Sequence, residues 1–81
     1  MNKVARAVYQ ARKDGSEISA NIRLKKNGRF SSVRGKVEDL RVARDGFAYA
    51  TVKVTDGDKD YQSVRLDNIL CVNKDNKIYR R

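Results

Sequence analysis

Four of the five glycines in this 81-residue chain follow Asp or Asn: Asp14-Gly15, Asn27-Gly28, Asp45-Gly46 and Asp56-Gly57. Such pairs readily take the positive φ angles of tight turns and helix C-termini. They therefore divide the chain into short elements. Proline is absent, so no position within those elements is barred from a strand ladder.

Between the turns the apolar residues recur with the period of two that marks half-buried strands. Ile18, Ala20, Ile22 and Leu24 alternate with Ser19, Asn21, Arg23 and Lys25. After Asn27-Gly28, Val33, Gly35 and Val37 alternate with Arg34 and Lys36, and Leu40 and Val42 resume the rhythm. The interruption at Glu38-Asp39 predicts a bulge or a strongly bent strand, with Gly35 able to permit the bend. In Phe47–Val54, Ala48, Ala50, Val52 and Val54 share one face, and Phe47, Tyr49, Thr51 and Lys53 the other. Which face is the core stays open, because large rings fill a small core better than alanine does. Tyr61, Ser63 and Arg65 alternate with Gln62, Val64 and Leu66, and Ile69–Val72 makes a closing strand. Five short strands over residues 17–72 predict a mainly β fold, a small, bent SH3/Sm-like barrel.

Ahead of the strands, Val4, Ala7, Val8 and Ala11 recur at helical spacing, with Asn2 as a possible cap and Gly15 as a stop. The spacing of Val4, Arg6 and Val8 also permits a strand. Ala, Arg, Lys and Gln are good helix formers, so a helix over 2–13 is the expectation. Residues 73–81 read as a polar tail that frays or pairs as an edge strand through Ile78-Tyr79. The whole chain, 1–81, reads as a single domain.

Charge is unevenly distributed. Residues 1–36 hold ten Lys/Arg against Asp14 and Glu17, whereas the remaining 45 hold nine against eight acidic residues, so nearly all of the net charge of +9 lies in the first part. A field of this kind attracts polyanions and releases their counterions, the usual signature of nucleic-acid binding. The bland alternative is a solvated basic surface that maintains solubility.

Composition excludes several functions. Histidine is absent, Ser31-Ser32 has no recognisable partner, and no phosphate-loop motif occurs, so an enzyme is not expected and no catalytic residue or cofactor is assigned. Without histidine, and with Cys71 as the single cysteine, neither a zinc site nor an internal disulfide is expected. Cys71 lies in the run Ile69-Leu70-Cys71-Val72, where a buried, inert thiol is expected. Asp56, Asp58 and Asp60 alternate around Gly57, but calcium-loop spacing fails and the segment reads as a solvated turn. No apolar stretch is long enough to span a bilayer and no signal-like core is present. A cytoplasmic setting is the expectation.

The segment Tyr61-Gln62-Ser63-Val64-Arg65-Leu66-Asp67-Asn68-Ile69-Leu70, preceded by Asp45-Gly46-Phe47-Ala48-Tyr49-Ala50 and a charged turn, resembles the later half of the WYL domain. The specific part is Val64-Arg65-Leu66-Asp67 with Ile69, Gly46 and Tyr49. Of the name-giving Trp-Tyr-Leu triplet only the tyrosine is present, flanked by Ala48 and Ala50; Asn68 replaces a usual basic residue and Gln62 the first arginine. The resemblance implies a short helix before a small SH3- or Sm-type barrel, and a regulatory or accessory role sensing nucleic acid or small ligands. This chain would be a divergent, stand-alone form.

If the alanine and valine face of Phe47–Val54 is the core, opposite parity puts Tyr49, Lys53, Tyr61 and Arg65 outside, together with Arg23, Lys25, Arg34 and Lys36. These eight are the candidate nucleic-acid-binding residues. Lys and Arg follow phosphates while rings stack on bases, which suits single-stranded RNA or DNA. Tyr61 could equally be a lid on the core, and Arg65 could pair with Asp67 or Asp60. The alternative function is a protein-interaction module docking onto an acidic partner, for instance a nucleic-acid-processing enzyme that it regulates.

Overall fold

The turn signals and the two periodicities meet in a computed structural model, which describes residues 2–23, 28–55 and 60–81. A helix, α1 (Lys3–Asp14), comes first. Asn2 caps it by accepting a hydrogen bond from the Ala5 N–H at 2.7 Å, and Gly15, at φ 71°, ends it in the left-handed conformation. Its helical spacing outweighs the strand alternative because Val4, Ala7, Val8 and Ala11 fall on one buried stripe.

Six strands follow: β1 (Glu17–Arg23), β2 (Phe30–Val42), β3 (Ala48–Val54), β4 (Tyr61–Arg65), β5 (Ile69–Lys74) and β6 (Lys77–Arg80). A single 3-10 turn at Leu66–Asn68 joins β4 to β5. All pairings are antiparallel, in the order β4-β3-β2-β1-β5-β6.

Two expectations are corrected. Among the described residues the sheet has six strands rather than five, and it is not closed into a barrel: β4 and β6 are its edges. The sixth strand comes from residues 73–81, where edge pairing through Ile78-Tyr79, the alternative to a frayed polar tail, is what forms. Asp75 and Asn76, at φ 53° and 65°, form a two-residue hairpin loop that folds Lys77–Arg80 back along β5. β6 thus occupies the edge of β5. The sheet is nonetheless curled, since Ile22 and Arg23 at the end of β1 line one small cleft with Gln62 to Arg65 of β4, three places away in strand order.

β2 shows how the curl arises. Its ladder with β3 shifts register between Val37 and Asp39, so the predicted bulge is present at Glu38-Asp39. Gly35 lies where β2 runs against β3: a Cβ built there would sit 1.9 Å from the Lys53 carbonyl oxygen. No side chain fits that approach, so glycine permits the bend.

The core lies between α1 and the inner face of the sheet. Ile18, Ala20, Ile22, Val33, Val37, Ala50, Val52, Val64, Ile69 and Val72 meet the helix stripe there, with Leu66 beside them. Full burial of each large aliphatic side chain contributes about 1.5–3 kcal/mol, and the buried stripe Val4, Ala7, Val8 and Ala11 is what packs α1 onto the sheet. Ala50 and Val52 are buried while Phe47 is exposed and Tyr49 half-buried. The small residues of β3 therefore face inward and its rings outward. Leu24, Lys25, Asn27 and the turn Asp56-Gly57-Asp58 lie outside the described residues.

Candidate nucleic-acid interface

Strand parity carries the polar residues to the outer face, away from α1. Arg23, Arg34, Lys36, Tyr49, Lys53, Tyr61 and Arg65 all stand on positions that alternate with buried ones; Lys25 is outside the described residues. The ladders place them in rows across the sheet. Lys36 is directly opposite Lys53, and Lys53 is opposite Tyr61. Neither lysine has a carboxylate within ion-pair distance among the described residues. Tyr61 is 54% exposed beside them. It is a surface ring and not a lid on the core.

A second row joins Arg41, Tyr49 and Arg65, and here the side chains are already engaged. The Arg65 guanidinium stacks over the Phe47 ring at 3.3 Å from its centroid and pairs with Asp67 at 3.5 Å. Its Nε is buried without a hydrogen-bond partner. The Tyr49 hydroxyl donates to Asp45 Oδ2 at 2.6 Å, and Asp45 Oδ1 accepts from the Phe47 N–H at 2.9 Å. These two hydrogen bonds, that from Tyr49 first, hold the Asp45 carboxyl below its usual range, while the bond to Asp45 pushes the Tyr49 phenol up. The cluster is a preformed aromatic and cationic platform at one end of the face.

Arg34 is engaged too. Its Nε donates to Glu17 Oε1 at 2.8 Å, and Thr55 donates to Glu17 Oε2 at 3.1 Å. The other early carboxylate, Asp14, is taken up by Lys74.

Arg23 is paired across the ladder with Phe30, which is 71% exposed, and the curl of the sheet brings Arg23 to the cleft that Arg65 also lines. Phe30, Arg41 and Arg80 belong to this face but were not among the sequence candidates. The alternation of Arg34 and Ser32 extends to Phe30, and Leu40 with Val42 sets Arg41 apart, so both were legible; Arg80 required knowledge of β6. Not every cation is here, since Lys3, Arg6 and Lys13 are exposed on α1. Cys71 is half-buried on the outer side, not fully buried as expected, and its Sγ accepts from Asn21 Nδ2 at 3.2 Å. β1 and β6 flank it there without covering it.

Among the described residues no group of His, Cys, Asp or Glu side chains is placed to hold a metal ion, and no helix is long and apolar enough to cross a membrane. Comparison of the chain with protein-family models, with curated proteins and with solved structures finds no match.

Proposed function

We propose that this protein is a small regulatory or accessory module that binds single-stranded nucleic acid on the outer face of its sheet. The observation that carries this reading is the row Lys36, Lys53, Tyr61. Like charges directly opposite each other on neighbouring strands destabilise a sheet; Glu17 flanks Lys36 on its other side but is held by Arg34 and Thr55, and among the described residues neither lysine has a carboxylate within ion-pair distance. A phosphate between the two ammonium groups would relieve that repulsion, and the exposed ring beside them supplies a stacking surface worth about 1–3 kcal/mol per base. The Phe47-Arg65-Tyr49 platform and the Arg23-Phe30 pair repeat the combination, with Arg23 and Arg65 lining one cleft. The likeness to WYL domains supports the same class of ligand on sequence grounds, and a cytoplasmic setting belongs with it.

Fluorescence anisotropy with labelled oligo-dT, oligo-U and a duplex across a salt series tests the reading. Single strands are expected to bind more tightly than duplex, with affinity falling as salt rises. For Lys36→Glu/Lys53→Glu the salt slope should fall by about 1.4, the loss of two single-strand phosphate contacts. A flat salt dependence, or no binding at about 100 μM protein in low salt, would reject it.

A second reading has its own support in the free edges of β4 and β6, which present unpaired backbone groups to an added strand. On that reading the basic surface steers docking onto an acidic protein. Capture of a partner from lysate that survives nuclease treatment, together with failure of the anisotropy assay, would favour it.

A further inference from the structure

A groove of about 340 Å³ runs between α1 and β6, lined by Lys3, Arg6, Ala7, Gln10, Lys74 and Tyr79. It opens on the helix side of the sheet, because Tyr79 is paired with the fully buried Val72 and packs against the core. Its volume is within the range of small-molecule sites.

The lining has two characters. Ala7 and the Tyr79 ring form an apolar floor. Around it stand three cations and no carboxylate. The Lys74 ammonium is answered within the protein, at 3.2 Å from Asp14 Oδ2 and 2.8 Å from Asp75 Oδ2. Lys3 and Arg6 are exposed, have no ion-pair partner among the described residues, and belong to a helix with no acidic residue in its first turn. Gln10 donates its amide to Asp14 Oδ1 at 3.0 Å, which leaves its carbonyl oxygen available at the groove.

We propose that this groove binds an organic anion, with a carboxylate, phosphate or sulfonate held by Lys3 and Arg6 and a flat apolar body seated on Ala7 and Tyr79. An inorganic anion would leave the floor uncovered. A neutral ligand would leave both cations unmatched. The site is separate from the outer face and goes beyond the nucleic-acid reading.

Amide chemical shifts of isotope-labelled full-length protein, titrated with naphthoate, naphthamide and inorganic phosphate, test it. Naphthoate is expected to shift Ala7, Gln10 and Tyr79 saturably, and the other two probes to bind about tenfold more weakly, equivalent to ~1.4 kcal/mol. Arg6→Glu should weaken naphthoate binding by a similar factor while keeping native peak dispersion, since Arg6 is exposed and has no ion-pair partner among the described residues; Lys3→Glu is the second variant if Arg6→Glu misfolds. Lys36→Glu/Lys53→Glu should leave it unchanged, so failure of the outer-face reading is distinguishable. Absence of saturable shifts at about 10 mM naphthoate, equal binding of naphthamide, equal binding of phosphate (an adventitious ion only), or indifference to the charge reversal would each overturn the proposal.

Discussion

Gly35 shows how one missing side chain shapes the sheet. With only 1.9 Å between a notional Cβ and the Lys53 carbonyl oxygen, any other residue must push β2 away from β3. Gly35→Ala is expected to cost about 3 kcal/mol or more, at or above the top of the usual range for overpacking. Urea unfolding measures it, and a loss within about 0.5 kcal/mol, the range of an ordinary surface change, would show that the strands can separate freely. Lys74 is the corresponding polar position, only 6% exposed and bonded to Asp75 and Asp14. The hydrogen bonds from Lys74, first, and Gln10 lower the Asp14 carboxyl, and those to Asp75 and Asp14 raise the Lys74 ammonium. The Asp14 contribution is therefore present above about pH 4 and is lost as pH falls through its lowered folded value; that of Lys74 is full below about pH 10 and is lost as pH rises through its raised one. Lys74→Met should lower the Tm at neutral pH and flatten the acid limb of the Tm profile. An unchanged acid limb would mean that the ion pairs do not link α1 to the β5-β6 hairpin.

At the scale of elements, β6 depends on its loop. Asp75 and Asn76 both carry positive φ, a conformation that costs other non-glycine residues about 1–2 kcal/mol. Asn76→Gly should stabilise the hairpin by up to about 1 kcal/mol, and Asn76→Val should destabilise it by about the same amount. Denaturant midpoints check both, and matching midpoints for the two variants would contradict the two-residue loop. Arg81 fastens the far end of this strand: its Nε donates to the Ile69 carbonyl at 3.0 Å and Nη2 to the Leu66 carbonyl at 3.1 Å. β6 is thus tied at both ends, and with it the wall of the helix groove.

For the whole molecule, a net charge of +9 means self-repulsion that salt screens. The Tm of the free protein is expected to rise between low and physiological salt, while affinity for single strands falls. Lys53→Glu separates the two effects, since it replaces repulsion across the ladder from Lys36 with attraction. It should stabilise the free protein by about 0.5 kcal/mol and weaken nucleic-acid binding. Calorimetry and anisotropy on the same sample check this, and a variant that is less stable would remove the argument from the paired lysines.

Much of this architecture is local and so legible without coordinates. A helix stripe, strand alternation and Asp/Asn-Gly turns depend on neighbours a few residues apart; α1, the first five strands, the bulge after Val37 and the outward parity of seven candidate residues follow from them. For the sixth strand the sequence left fraying and edge pairing through Ile78-Tyr79 both open, because Asp75-Asn76 lacks the glycine that usually marks such a loop. Closure was misjudged for a different reason: alternation is the same in an open sheet and a barrel, and only the addition of β6 to β5 and the packing of α1 over the interior distinguish them. Partnership is likewise tertiary. Arg34, Arg65 and Lys36 look alike in sequence, yet Arg34 meets Glu17, Arg65 meets Phe47 and Asp67, and Lys36 stands between Glu17 and another lysine with no ion pair to either side. Chain order determined which residues point outward. Which of those charges meet a counter-charge depends on distances between strands remote in sequence, and folding alone decides them.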